Sequence, residues 1–186
     1  LLFYSMLQIK NYGSFLQAFS LKKNIESLGH TCEFINIIPG EQLEGYKTSC
    51  FYNIKLLFQR LWGWELYKRF QTIFVFQNRF QKEFLPYLGV KKGINTKHYD
   101  VVVIGSDEVF NCTQKTWFGF SSQLFGKGLN ASRIITYAAS FGATTIDKLQ
   151  LVGKKEIVSS LLHDLDAISV RDENSMKVIE ELTGRT

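Results

Sequence analysis

The chain has 186 residues, 45% of them hydrophobic and 21% charged, which fits one folded domain with a sizeable core and excludes a disordered or fibrous chain. Only two prolines are present, so no Pro-rich linker divides it. The formal charge of +5 is concentrated between Lys47 and Lys97, where the bases are opposed only by Glu65 and Glu83; a solvated helix face is the plainer reading of that segment, with anion, nucleic-acid or membrane attraction as alternatives.

The opening, Leu1-Leu2-Phe3-Tyr4-Ser5-Met6, lacks the basic flank and small-residue cleavage site of a signal peptide and reads as a strand. The absence of a starting Met suggests that a few residues are missing or were trimmed. No apolar run approaches the roughly 20 residues of a spanning helix. A first strand is expected over Phe3–Ile9, then a turn at Lys10-Asn11-Tyr12-Gly13 with Ser14 as a candidate N-cap. Phe15, Leu16, Ala18, Phe19, Leu21, Ile25 and Leu28 recur at helical spacing, and Gly29 ends that helix. Cys32–Ile38 reads as a second strand closed by Pro39-Gly40. This β-α-β order calls for a right-handed crossover between parallel strands. The first loop carries no GxGxxG and the second strand ends without an acid, so a dinucleotide site is not supported.

A polar loop follows, then two aromatic-rich helical patterns, one over Phe51–Leu61 and one over Leu66–Phe84 that Leu85-Pro86 is expected to end. These form a helical insertion over about 50–86. Interleaved bases and aromatics there allow surface contact with a membrane, although packing against the sheet is the simpler role. The central strand is Tyr99–Ile104: its β-branched run Val101-Val102-Val103-Ile104 fits a strand covered on both faces. Gly105 then lets the chain turn, and Ser106 and Asp107 stand at the carboxyl end, where open α/β sheets place their sites. Later elements are a strand over Arg133–Ala139 ending in Ser140-Phe141-Gly142, a helix over Ile146–Leu162, a strand over Ala167–Val170 ending in Arg171, and a helix capped by Asp172.

In a parallel sheet the loops at Asn11, Asp107, Ser140 and Arg171 share one edge beside helix N-termini, which favour anions. An Arg there clamps a carboxylate or phosphate. Cys32, Cys50 and Cys112 form no CxxC pair and His30, His98 and His163 are scattered, so reduced thiols and no metal are expected. Cys112 lies close enough to Asp107 for a nucleophilic role to be considered, but no His neighbours it in sequence.

These loops carry a recognisable pattern. Asn11-Tyr12-Gly13-Ser14-Phe15-Leu16-Gln17 resembles the NYGxxLQ opening of the polysaccharide pyruvyl transferase family. Asp100 through Gly105-Ser106-Asp107-Glu108-Val109-Phe110-Asn111 is similar to its D-x-x-x-x-GSDQ-x-W-N segment. Tyr137–Gly142 matches YAASFG, and Ile168–Ser175 resembles ISVRE-x-S. Glu108 and Phe110 depart from the usual Gln and Trp. The resemblance implies an α/β, Rossmann-like open and mainly parallel sheet with helices on both faces, as the first half of a GT-B-like two-domain architecture. Residues 1–186 would then be a single N-terminal domain, with the C-terminal domain absent.

The implied reaction transfers the enolpyruvyl carbons of phosphoenolpyruvate to two hydroxyls of one sugar, forming a ketal in bacterial cell-surface polysaccharide synthesis. It implies catalytic roles for Asp107 (base or hydroxyl-positioning group) and Arg171 (anion clamp), and substrate contacts at Asn11, Tyr12, Gly13, Gly105, Ser106, Ser140, Phe141 and Gly142. No metal or other cofactor and no nucleic acid is implied. The acceptor would be a sugar or lipid-linked oligosaccharide, the location cytoplasmic with optional contact at the inner membrane face, and the isolated half inactive. Two alternatives stay open: a GT-B glycosyltransferase using a nucleotide sugar, and a non-catalytic glycan-binding module.

Overall fold

The computed structural model describes residues 1–4, 12–41, 64–91, 97–113 and 119–185. The expected helix over Phe51–Leu61, the later part of the first strand, and Cys50 lie outside them. Five strands form one sheet: β1 (Leu2–Tyr4), β2 (Glu33–Ile35), β3 (Val90–Lys91), β4 (Tyr99–Asp107) and β5 (Ala131–Ala139). Their order is β3-β2-β1-β4-β5, and every pair is parallel. This is a Rossmann-like open sheet, with the strand order reversing between β1 and β4.

The β-branched run of β4 explains why the sheet is covered twice. Val102 and Ile104 enter one core with Leu2, Leu149, Val158 and Leu162. Val103 faces the other way, with Phe3, Phe34, Phe15, Ala18 and Phe80. Side chains alternate across a strand, so four consecutive apolar residues need two cores. Each fully buried aliphatic side chain contributes about 1.5–3 kcal/mol to that arrangement.

Helix α1 (Tyr12–Ser27) covers the second core. It begins two residues before Ser14, so Ser14 is not its cap. Phe15 and Ala18 are buried as the spacing predicts, but Leu16 and Leu28 face solvent; a seven-position apolar pattern is wider than the stripe one sheet face covers. Gly29, at φ +87°, ends the helix as expected.

Helix α2 (Trp64–Arg79) does not stop at Pro86. A π-helical turn, Phe80–Phe84, follows it, and then a short α3 (Leu85–Leu88) with Pro86 in its first turn. The Leu85 N–H reaches back to the Phe80 carbonyl, and Pro86 sits where a missing N–H costs little.

The helix expected over Ile146–Leu162 is two helices, α4 (Ile146–Leu151) and α5 (Lys155–His163). Gly153 takes φ +64° between them. Lys154 N–H bonds the Leu149 carbonyl at 2.8 Å and Gly153 N–H that of Gln150 at 3.0 Å. That pair is the Schellman arrangement, which terminates a helix through a left-handed residue.

The expected strand over Ala167–Val170 is reduced to two parallel bridges, Ile135 with Ala167 and Ala139 with Val170. The cause is the Thr136 hydroxyl. It accepts from the Ser169 N–H at 2.8 Å, in place of a ladder carbonyl, and donates to the Ser169 carbonyl at 3.0 Å, which also accepts from the Ala139 N–H at 3.0 Å.

Helix α6 (Glu173–Thr183) has the expected cap: Asp172 accepts from the Ser175 N–H at 2.9 Å. Replacing Asp172 by Ala is expected to cost about 1 kcal/mol in urea unfolding at pH 7. Burial opposes the charge of Asp172, but hydrogen bonds from Ser140 and Ser175 and the neighbouring Arg171 together hold its carboxyl below the ordinary value. A carboxyl depressed in the folded state stabilises above its unfolded value, and that contribution fades as pH falls through the folded one. The parent-to-variant gap should therefore narrow with acidification below about pH 4. A gap that stays constant down to pH 2 would remove the charge from this account.

Candidate functional site

Folds of this kind bind ligands at the carboxyl edge of the sheet, at the reversal of strand order, which falls here between β1 and β4. Asp107, the last residue of β4, stands there with φ +104°, a backbone region that costs about 1–3 kcal/mol for a residue with a side chain. Its Oδ2 accepts from the Ser14 hydroxyl at 2.6 Å, and its Oδ1 accepts from the Glu108 N–H at 2.9 Å. Arg171 Nη2 stands 3.4 Å from the same Oδ1. Both side chains remain partly exposed, at 34% for Arg171 and 26% for Asp107. An ion pair this long and this wet adds about 0–1 kcal/mol to stability, so Arg171 can turn to a ligand at little cost, while Ser14 and the Glu108 N–H keep Asp107 in place.

Backbone bonds hold the three loops together. Ser140 N–H donates to the Asp107 carbonyl and Phe110 N–H to the Ser140 carbonyl, each at 3.0 Å, and Arg171 N–H donates to Ala139 at 3.2 Å. Ser140 is buried; its hydroxyl accepts from the Gly142 N–H at 2.8 Å and is hydrogen-bonded to Asp172. Phe141 is fully buried, its ring 5.1 Å from that of Phe110, so only its backbone faces the edge. Phe141 N–H donates to the Ser175 hydroxyl, which in turn donates to Asp172 Oδ1, each at 2.8 Å. Asn174 Nδ2 donates to the carbonyls of Gly142 and Thr144 at 3.0 Å.

The structure thus brings together Gly105, Ser106, Asp107, Ser140, Phe141, Gly142 and Arg171. Ser106 is buried and its hydroxyl bonds Gln17 of α1 at 3.3 Å. Gly13 lies exposed in the first turn of α1. Tyr12 points elsewhere: its ring packs edge-on against Phe76 and Phe84, at 5.1 and 5.0 Å. Asn11 lies outside the described residues. Sequence reasoning missed Ser14, Asn174 and Ser175 as supports of this edge. The signal for Ser175 was present, three residues after a capping Asp, whereas Ser14 carried none beyond its helical position.

Glu108 and Phe110, which stand where the GSDQ-x-W-N segment has Gln and Trp, are both structural here. Phe110 is fully buried and stacks on Phe125 at 4.7 Å. Glu108 Oε2 accepts from Asn111 Nδ2 at 2.7 Å, and this pair packs so closely on Gly142 that a Cβ there would come within 2.4 Å of Glu108. A Gln side chain offers the same acceptor oxygen. Glu108→Gln should therefore change stability by less than about 0.5 kcal/mol in urea unfolding; a loss above about 2 kcal/mol would mean that the charge itself is required.

Cys112 is buried, and burial pushes its thiol up to about 12. It stays protonated at neutral pH, which rules out the nucleophilic role considered from its position. Among the described residues, no group of His, Cys, Asp and Glu is arranged to hold a metal ion, and no helix is long and apolar enough to cross a membrane. A family model described as polysaccharide pyruvyl transferase matches residues 11–185. No curated protein and no solved structure matches the chain.

Proposed function

Because the chain belongs to the polysaccharide pyruvyl transferase family, we propose that its Asp107–Arg171 edge binds phosphoenolpyruvate and delivers the pyruvyl carbons to a sugar as a ketal. The observation that carries this reading is the meeting of a partly exposed carboxylate and a partly exposed guanidinium at the strand-order reversal, 3.4 Å apart. In the reaction two sugar hydroxyls bond to the central carbon of phosphoenolpyruvate and its phosphate leaves. One hydroxyl proton ends on the methylene carbon and the other on phosphate. Arg171 faces the donor's carboxylate or phosphate, a charge-assisted contact that water screens only in part. Asp107, oriented by Ser14, takes or positions a proton of the attacking hydroxyl.

On this reading the chain is the first half of a GT-B-like enzyme, and by itself binds the donor without turning it over. It acts in the cytoplasm on a sugar or lipid-linked oligosaccharide destined for the cell surface. Contact with the inner membrane face is supported by α2, where Ile73, Phe74 and Val75 are each more than half exposed near Lys68 and Arg79.

Titration with phosphoenolpyruvate, followed by amide NMR, tests the reading. Shifts concentrated at Asp107, Gly142 and Arg171 are expected at millimolar ligand. No shift with phosphoenolpyruvate, but shifts with a nucleotide sugar on the same loops, would transfer the edge to glycosyl transfer.

A further inference from the structure

One side chain of the Tyr137–Gly142 stretch takes no part in either core or in the bonds that hold the edge together, that of Tyr137. It stands in β5 opposite Gly105 of β4. Ile135, two residues earlier, packs against the core beneath α1. Side chains two apart on a strand share a face, so Tyr137 projects on the α1 side of the sheet. Ala138, at φ +48°, then interrupts the alternation, and Ala139 lies in the opposite core.

Neither flanking segment covers the ring. Gly105 offers no side chain, and Ile168, on the far flank, packs against the opposite core. Tyr137 is 50% exposed, and its hydroxyl makes no hydrogen bond among the described residues. A single exposed aromatic is ordinary on a protein surface; the place of this one is not. The Asp107 carboxylate lies on the same face, held by Ser14 of α1, and Arg171 is tied to the end of β5 by its N–H to the Ala139 carbonyl. Adjacent strands lie about 4.8 Å apart and rise about 3.3 Å per residue, so the Cα atoms of Tyr137 and Asp107 are within about 8 Å of each other. One sugar ring can touch both. An aromatic side chain has only two torsions to fix and offers a flat apolar surface. The C–H face of a pyranose is its complement, and stacking there leaves the hydroxyls at the rim of the sugar free to react.

We propose that Tyr137 is the platform for the acceptor: a pyranose lies with a C–H face on the ring and turns two hydroxyls toward Asp107. The acceptor role rests on the function proposed above; the stacking of a pyranose on Tyr137 does not.

The test is amide NMR titration of the chain with methyl β-glucopyranoside and methyl β-galactopyranoside, which differ at one hydroxyl, and with sorbitol, which carries hydroxyls but no ring face. Each titration is run with and without phosphoenolpyruvate. At least one glycoside is expected to shift the amides of Tyr137, Ala138 and Asp107, and sorbitol is expected to leave them in place. Tyr137→Ala should weaken the glycoside about five- to tenfold, the size of one aromatic contact, whereas Tyr137→Phe, which keeps the ring, should stay within about twofold of the parent. The amide spectrum away from β5 controls for folding of both variants. Glycoside binding that survives Tyr137→Ala, that falls equally in Tyr137→Phe, or that sorbitol matches overturns the proposal. So does the absence of a glycoside shift in every titration. If the glycosides bind through Tyr137 while phosphoenolpyruvate leaves Arg171 unshifted, the donor reading falls and the platform stands. If phosphoenolpyruvate shifts Arg171 and no glycoside reaches Tyr137, the platform falls and the donor reading stands.

Discussion

Gly105→Ala is expected to destabilise the chain by about 3–5 kcal/mol, a large share of the roughly 5–15 kcal/mol that holds a domain folded. Gly105 has φ +126°, and a Cβ built on it would lie 2.2 Å from the Tyr137 carbonyl oxygen of the adjacent strand. That oxygen belongs to backbone, so it cannot swing aside as a side chain would. β4 and β5 are registered over Tyr99–Asp107, with Gly105 facing Tyr137. Relief of the clash must therefore part the strands where Asp107 is presented. Urea unfolding followed by circular dichroism measures the effect. Gly153→Ala is the control: that glycine also has positive φ, +64°, but nothing lies within 4 Å of its Cβ position, so about 1 kcal/mol is expected. Equal losses at the two sites would show that backbone conformation alone, and not the approach of β5, sets the requirement for glycine.

The second large effect concerns the donor. Arg171→Ala should weaken phosphoenolpyruvate binding by about 10- to 150-fold, the equivalent of about 1.5–3 kcal/mol for hydrogen bonds to a charged group. Asp107→Asn should act in the opposite direction on the same measurement. It removes a negative charge 3.4 Å from the clamp, so the guanidinium is freed for the ligand and like-charge repulsion disappears. Binding should be unchanged or tighter, while turnover in a complete enzyme falls about 10²- to 10⁴-fold with loss of a proton acceptor. Calorimetric titration reads the affinities, and phosphate release with ketal formation reads the turnover. Equal loss of affinity in both variants would mean that the pair acts as a structural unit and that neither group addresses the donor by its charge.

Much of the fold was legible because it is written within single elements. The run Val101–Ile104 demands cover on both faces, and the two cores supply it. Gly29 and Asp172 mark helix ends through local chemistry, a left-handed residue and a side-chain acceptor, and the structure places both as expected. Where a neighbouring element intervened, the local signal failed. The Thr136 hydroxyl takes the Ser169 N–H from the ladder, so a run with strand composition is not a continuous strand. Gly153 breaks a helix whose apolar spacing continues through it. Leu85-Pro86 carries a stop signal that the π-turn before it accommodates.

The family and its motif residues, the parallel α/β class and the position of Asp107 at a strand end were determined by the sequence alone. Each depends on residues close together in the chain, through side-chain alternation, helical spacing or backbone freedom. The tertiary structure alone decided that Ser14 would hold Asp107 across 93 positions, that Arg171, expected on the same edge, would come within 3.4 Å of it across 64, and that Tyr12 would turn from this edge to the aromatic side of α2. Those pairings follow from sheet order and register, which bring distant strand ends onto one edge. Register is set by the summed packing of both cores, and no short stretch of chain contains that sum.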